Sequence, residues 1–194
     1  MLAYLYKNWA FMGVGIAFYV TLLLASSFYD LSYFIFLVWL QFPVYLLHQC
    51  EEHGYPGGFQ EFINLRIFKT GNTNSPFNPA RIFWINIGII WGLFPLFAVL
   101  AQCVNPVYGV FLPIFGLFNA TTHIMSGIAK KGYDPGLGIS LFLNYPTGIF
   151  TLYVAHKLGY LTKLSVGGSV LFSFLLHVMM FAMALYWYKQ ARRA

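Results

Sequence analysis

The sequence predicts an all-α fold, a polytopic membrane bundle of six transmembrane helices that form a single domain over residues 1–194. Of its 194 residues, 59% are hydrophobic and only 8% are charged, whereas soluble domains carry about 25% charged residues. Six apolar runs approach the roughly 20 residues that a membrane-spanning helix needs. The basic residues fall on alternate connections between these runs, which is the pattern that six spans produce.

The predicted spans follow one another through short connections, except for one longer segment between the second and the third. Pro43 lies inside the second span and is expected to kink it. The six predicted spans cover residues 9–28, 31–53, 82–103, 107–129, 136–156 and 164–188.

The Lys and Arg residues orient the bundle, because cytoplasmic connections carry most of the positive charge. One predicted side carries only Lys157 and Lys163, so we expect both termini to be cytoplasmic, in a bacterial inner membrane. The net charge of +6 is then expected to meet anionic lipid headgroups and not nucleic acid. The side assigned to the cytoplasm carries Lys7, Arg66, Lys69, Arg81, Lys130, Lys131, Lys189, Arg192 and Arg193.

The longer segment, residues 54–81, is predicted to contain a short amphipathic helix at the cytoplasmic interface. Gly54 and Pro56 end the second span, and a loop rich in Gly, Asn, Ser and Pro follows the amphipathic stretch. Both a lid or substrate platform and an ordinary connector remain open for this segment. The apolar residues that recur at helical spacing are Phe59, Phe62, Ile63 and Ile67.

A polar motif ends the second span, where ionisable groups are costly and indicate a functional site. His48, Glu51 and Glu52 are related by helical spacing and are predicted to share one face, while His53 is expected to point away. Two glutamates at a helix C-terminus oppose the helix dipole and therefore suggest a compensating cation. Imidazole and carboxylate groups bind divalent metals, here zinc or iron, and the second glutamate is expected to act as general base or to hold a ligand in place.

Later spans supply polar residues at a depth in the membrane similar to that of this motif. His123 lies in the cytoplasmic half of the fourth span and His177 somewhat deeper in the sixth, so we predict metal ligation by both, together with His48 and one glutamate, Glu52. Asn119 lies one turn before His123. Asn119 and Asn144 are predicted to stabilise developing charge; Asn119 could alternatively orient His123.

Asp134 and Pro135 precede the fifth span. Asp134 is expected to be the N-cap of this helix with Pro135 at its first position. This interpretation explains the carboxylate structurally, so we do not predict Asp134 as a ligand.

These motifs resemble the HXXEE-motif family of small polytopic membrane proteins over most of the chain. The resemblance supports the membrane fold and the location of the site, and it implies no particular activity. A looser likeness connects the Glu-Glu motif and the later His and Asn residues with membrane-embedded glutamate-type proteases that process prenylated proteins, although the arginine that follows the glutamates there is missing. The matching motifs are His48-x-x-Glu51-Glu52, Gly57-Gly58-Phe59, Asn119-x-x-x-His123, Tyr133-x-Pro135-Gly136 and Asn144-x-Pro146.

The leading functional hypothesis is a membrane-embedded, metal-dependent hydrolase. Its substrate is expected to be lipid-like or lipidated and to enter near the cytoplasmic leaflet. The predicted catalytic residues are Glu51, Glu52, Asn119 and Asn144.

Three alternatives remain open beside the hydrolase. An iron-dependent oxidase or hydroxylase would use the same ligands. A small ion or proton transporter would need polar residues toward the outer face, which carries few beyond Thr21, Gln102 and Thr151. A non-catalytic immunity or scaffold protein would bind no metal. The oligomeric state is left open.

Overall fold

The computed structural model describes residues 1–193, and this part of the chain is all-helical, without a strand. Six of its helices are long and apolar enough to cross a membrane, which confirms the predicted fold class. In chain order the helices are α1 (Leu2–Ser26), α2 (Tyr33–His53), α3 (residues 59–67), α4 (Pro79–Cys103), α5 (Pro106–Lys130), α6 (Leu137–Lys157) and α7 (Lys163–Ala191).

The predicted spans agree with these helices, and the main differences lie at helix starts. α1 begins at Leu2, because the helix continues through polar residues that a hydropathy pattern leaves out. α4 begins at Pro79 because the Asn78 side chain accepts a hydrogen bond from the backbone N–H of Arg81 at 2.9 Å, which caps the helix.

The helix that carries the polar motif, α2, is the central helix of the bundle. In its most apolar window 67% of the residues are buried, whereas the other five long helices range from 22% to 50%. Val38 and Leu46 are completely buried among aromatic side chains such as Phe94 and Phe115. The motif therefore projects from a helix that is enclosed by its neighbours and not from the surface of the bundle.

Two helices contain a wide π-helical segment that ends two residues before a proline. Residues Ile87–Leu93 precede Pro95 in α4, and Ser140–Asn144 precede Pro146 in α6. Proline has no N–H to donate, so a carbonyl one turn earlier loses its helical partner and the backbone widens. The second segment begins beside the polar motif, because the Ser140 hydroxyl lies 3.5 Å from Nδ1 of His48.

The segment between α2 and α4 is folded. Helix α3 agrees with the predicted amphipathic helix, and its second part, Phe62–Ile67, is π-helical. The buried Asn64 side chain organises the following loop, since it donates to the carbonyls of Thr73 and Phe77 and accepts from the N–H of Phe77. Phe59 of α3 packs on His53 in the last turn of α2, with ring centroids 5.0 Å apart, so the segment lies over the end of α2.

Candidate metal centre

His48 and Glu52 on α2 converge with His123 on α5 at the end of the bundle where both helices terminate. Oε2 of Glu52 lies 3.7 Å from Nε2 of His48, and Oε1 lies 3.8 Å from Nε2 of His123. One ligand atom from each residue lies within 4.8 Å of the other two, and all three residues are buried. Metal–ligand bonds are about 2.0–2.2 Å long, so a small inward movement of these side chains would let them hold one ion.

The predicted approach of the two histidines is found in the structure. Their ring centroids lie 4.8 Å apart with an interplanar angle of 72°. His48 and Glu52 are separated by four residues on α2 and therefore share a face. His123 faces them from α5, which runs alongside and ends at the same end of the bundle.

Asp134 orients His123, and the predicted N-cap role of Asp134 is wrong. Nδ1 of His123 donates to Oδ1 of Asp134 at 2.6 Å, and both residues are buried. The helix begins only at Leu137, after Gly136 with φ +96°, because the Pro135–Gly136 turn delays helix entry and directs the carboxylate inward. A carboxylate on Nδ1 fixes the tautomer and leaves Nε2 free to bind a metal, as in carboxylate–histidine–metal sites.

Gly136 lies directly against the two histidine rings. A Cβ atom at this position would lie 2.6 Å from Cε1 of His48 and 3.2 Å from Cε1 of His123. Its positive φ is also a conformation that side chains disfavour. Glycine is therefore required here for two reasons: the positive φ of the backbone and the close approach of the two histidine rings.

Asn119 contacts His48 at the nitrogen that faces Glu52. Its Nδ2 donates to Nε2 of His48 at 3.1 Å. A metal ion that took the lone pair of this nitrogen would release the Asn119 amide, which lies in the same part of the site. The location agrees with the predicted role of Asn119 beside the ligands; its catalytic contribution stays a prediction.

Glu51 faces the start of α6 and is held by three donors. Its Oε1 accepts from the Tyr133 hydroxyl at 2.7 Å and from the N–H of Gly138 at 2.8 Å, and its Oε2 accepts from the N–H of Ile139 at 2.6 Å. Burial raises the pKa of Tyr133, and the hydrogen bond to Glu51 raises it further. These contacts are those of a residue that anchors the N-terminus of α6, where a negative charge is stabilised.

The helical wheel predicted that His53 points away from the motif, but in the structure its side chain contacts the motif. Its Nε2 lies 3.2 Å from Oε2 of Glu52 and 3.4 Å from Nδ2 of Asn86 on α4. The ring packs between Trp9 and Phe59, with centroid separations of 5.2 and 5.0 Å. Packing from α1 and α3 turns the side chain back over the last turn of α2. A helical wheel considers α2 alone and therefore does not include this packing.

The structure leaves His177 and Asn144 outside the group of three. Nδ1 of His177 donates to the carbonyl of Ser173 at 2.8 Å, and its ring packs on Phe115 and Phe118. The buried Nε2 of His177 and the buried Nδ2 of Asn144 have no hydrogen-bond partner among the described residues. Ligation by His177 and a catalytic role of Asn144 stay predictions without a supporting contact.

A cavity of about 390 Å³ opens beside the three residues. Glu52, His123 and Asn119 contribute to its wall, and aromatic and aliphatic side chains form most of the rest. This volume lies within the range of about 300–1,000 Å³ that is usual for ligand pockets. Apolar members of the lining include Phe59, Phe62, Ile63, Ile67, Met180 and Phe181.

Fold and site together define an all-helical protein with six helices that could span a membrane and a buried group of two histidines and one carboxylate. The chain belongs to the family described as protein of unknown function with HXXEE motif, whose model matches residues 39–151. No curated protein and no solved structure matches the chain significantly, and the likeness to intramembrane proteases finds no support.

Proposed function

We propose that this protein is a membrane-embedded, metal-dependent hydrolase that acts on a lipid-like substrate. The observation that carries the proposal is the buried convergence of His48, Glu52 and His123, with ligand atoms within 4.8 Å of one another. Two histidines and a glutamate form the ligand set of several zinc hydrolases, in which a fourth position is left for water or substrate. We further propose that the six apolar helices lie in a bacterial inner membrane with this site near the cytoplasmic side.

The cavity beside the site supports a lipid-like substrate. Its volume is about 390 Å³, and its walls are mainly aromatic and aliphatic. Its polar lining residues include Glu52, His123, Asn119, Asp134 and His177. A long apolar group would thus fill the cavity while a polar, hydrolysable group meets the metal site, and burial of the apolar group would provide binding energy.

A divalent ion in such a site supplies Lewis acidity and lowers the pKa of a coordinated water toward neutrality. The surrounding residues would perform the remaining steps. Asp134 holds the His123 ring with Nε2 toward Glu52, and Asn119 can donate its amide N–H to a developing oxyanion.

A proton acceptor is also required, and Asp134 is the carboxylate best suited to this role. Glu51 is engaged by three donors, and Glu52 is the proposed ligand. Oδ2 of Asp134 is buried without a hydrogen-bond partner in the described structure, and the residue lines the cavity. In hydrolysis of an ester, this oxygen would take the proton of the attacking water and return it to the leaving oxygen as the carbon–oxygen bond breaks.

A second candidate function is oxidation of the same substrate at an iron centre. Two histidines and one carboxylate are also the ligand set of non-haem iron oxygenases. The chemical identity of the bound metal decides between the two candidates, because zinc carries out no redox chemistry.

Metal analysis of the purified protein tests the proposal. We expect about one zinc ion per chain in the wild type, and loss of that zinc in His48→Ala and His123→Ala. His156→Ala is the matched control, because His156 is exposed at the opposite end of the bundle. Iron in place of zinc would support the oxidase. Metal far below one equivalent in the wild type, unchanged by either substitution, would overturn the metal centre.

A further inference from the structure

A second cavity shares a wall with the apolar cavity of the metal site. It has a volume of about 380 Å³, similar to the 390 Å³ of the first. His53, Phe59 and Ile82 line both cavities. The two cavities are therefore adjacent, and His53, whose Nε2 lies 3.2 Å from Oε2 of Glu52, belongs to the wall between them.

The two cavities differ in chemical character. The first is lined mainly by apolar side chains, whereas the second is lined by Lys7, Gln60, Glu61 and Asn74 as well as by aromatic residues of α1. The Gln60 amide donates to the carbonyl of Thr73 and to Oδ1 of Asn74, each at 2.8 Å, so this wall is ordered. An apolar and a polar cavity side by side match the two parts of an amphiphile.

We propose that the second cavity binds the polar head of a single-chain amphiphile whose hydrocarbon chain occupies the first cavity. The head carries both a positive and a negative charge. This assignment deepens the proposed function and rests on it for the location of the reacting bond. Binding to the head-group cavity is a separate property that requires no metal.

The volumes and charges of the two cavities select this ligand class. A cavity of about 390 Å³ has room for about a dozen groups of the size of a water molecule or methylene, which is about the size of one hydrocarbon chain. Lys7 and Glu61 are both exposed and line the same polar cavity. Their opposite charges complement a zwitterionic head better than a head of a single sign.

The junction between the cavities predicts which bond reacts. An amphiphile that occupies both cavities must pass His53, whose Nε2 lies 3.2 Å from Oε2 of Glu52. The bond that joins head and chain is then the bond nearest to the proposed metal. Hydrolysis would add water across this bond and release the chain as an acid or alcohol and the head as its partner.

Binding of three probes with the same lauroyl chain tests the head-group site. We would titrate the purified full-length protein, in an uncharged detergent, with lysophosphatidylethanolamine, lysophosphatidylglycerol and monoacylglycerol. The zwitterionic probe is expected to bind several times more tightly than the other two. Lys7→Gln and Glu61→Gln should each weaken its binding by about threefold, which is typical of exposed charge pairs.

Lys189→Gln is the control substitution, because Lys189 is also exposed but lines neither cavity. Equal binding of the three probes, or an equal loss in Lys189→Gln, would overturn the head-group site. Metal content is measured on the same preparations. Bound metal without head-group preference removes only this inference, whereas head-group preference without metal leaves a lipid-binding site and removes the hydrolase.

Discussion

Nδ1 of His123 on α5 and Oδ1 of Asp134 in the loop between α5 and α6 lie 2.6 Å apart, and both residues are buried. This hydrogen bond determines which ring nitrogen of His123 is available. With the proton on Nδ1, Nε2 keeps its lone pair, and this nitrogen lies 3.8 Å from Oε1 of Glu52. A loop residue that sequence reasoning assigned to a helix cap thus prepares one of the three ligands.

Asp134→Asn is expected to weaken metal binding without abolishing it. The amide can still contact Nδ1 but carries no charge, and loss of such an orienting carboxylate typically reduces metal affinity by about 10–100-fold. Competition with a chelator of known affinity measures the change. Asp30→Asn, at an exposed position outside the site, is the control, and an affinity within twofold of the wild type would contradict the orienting role.

Gly136→Ala is expected to lower thermal stability and metal content together. Gly159→Ala is the matched control, since Gly159 also has a positive φ, of +74°, but nothing lies within 4 Å of an added Cβ. Backbone strain alone costs about 1–3 kcal/mol, so both variants should melt earlier in a fluorescence-detected unfolding experiment. The decrease in melting temperature of Gly136→Ala beyond that of Gly159→Ala measures the contact with the two histidine rings. Equal melting temperatures of the two variants would show that this contact is unimportant.

Glu51→Gln is expected to affect mainly stability, whereas Glu52→Gln is expected to affect metal binding. Glu51→Gln removes a charged acceptor from three hydrogen bonds and should cost about 1–3 kcal/mol of stability, yet the protein should still bind metal. Glu52→Gln removes a proposed ligand and should abolish metal binding. Melting temperature and metal content are measured on both variants, and loss of metal in Glu51→Gln at unchanged stability would make Glu51 the ligand instead.

His177→Phe tests the predicted ligand that the structure leaves outside the group of three. The ring packs between Phe115 and Phe118, so an aromatic replacement fits the surroundings. We expect an unchanged metal content, determined by elemental analysis beside His123→Ala. A stoichiometric loss of metal in His177→Phe would restore the prediction that His177 is a ligand.

The sequence predicted the helices and the three converging residues because both depend on local patterns. Length, apolar composition and basic residues locate the spans, and a spacing of four residues places His48 and Glu52 on one face. A rise of about 1.5 Å per residue along a helix places His123 at about the same depth as His48. None of these features depends on the conformation of the loops.

The errors lie where the loops determine the direction of a side chain. His53 follows the packing of Trp9 and Phe59 and not the helical wheel. Asp134 follows the turn at Gly136, whose positive φ a single sequence does not reveal. The series Tyr133-x-Pro135-Gly136 marked this loop as part of the family pattern, and it was the available signal that the loop contacts the site.

Residues 119–140 contain the end of α5 and the start of α6. In the described part of the chain they supply the long-range side-chain hydrogen bonds of His48 and Glu51, through Asn119, Tyr133, Gly138, Ile139 and Ser140. A metal ion bound by His48, Glu52 and His123 would cross-link this helical hairpin to α2. Its binding free energy would then count toward the folding of the bundle, and the folded state would gain stability as the free metal concentration rises above the dissociation constant. Cells starved of the metal are expected to lose the protein itself through proteolysis, and its abundance would report their metal supply.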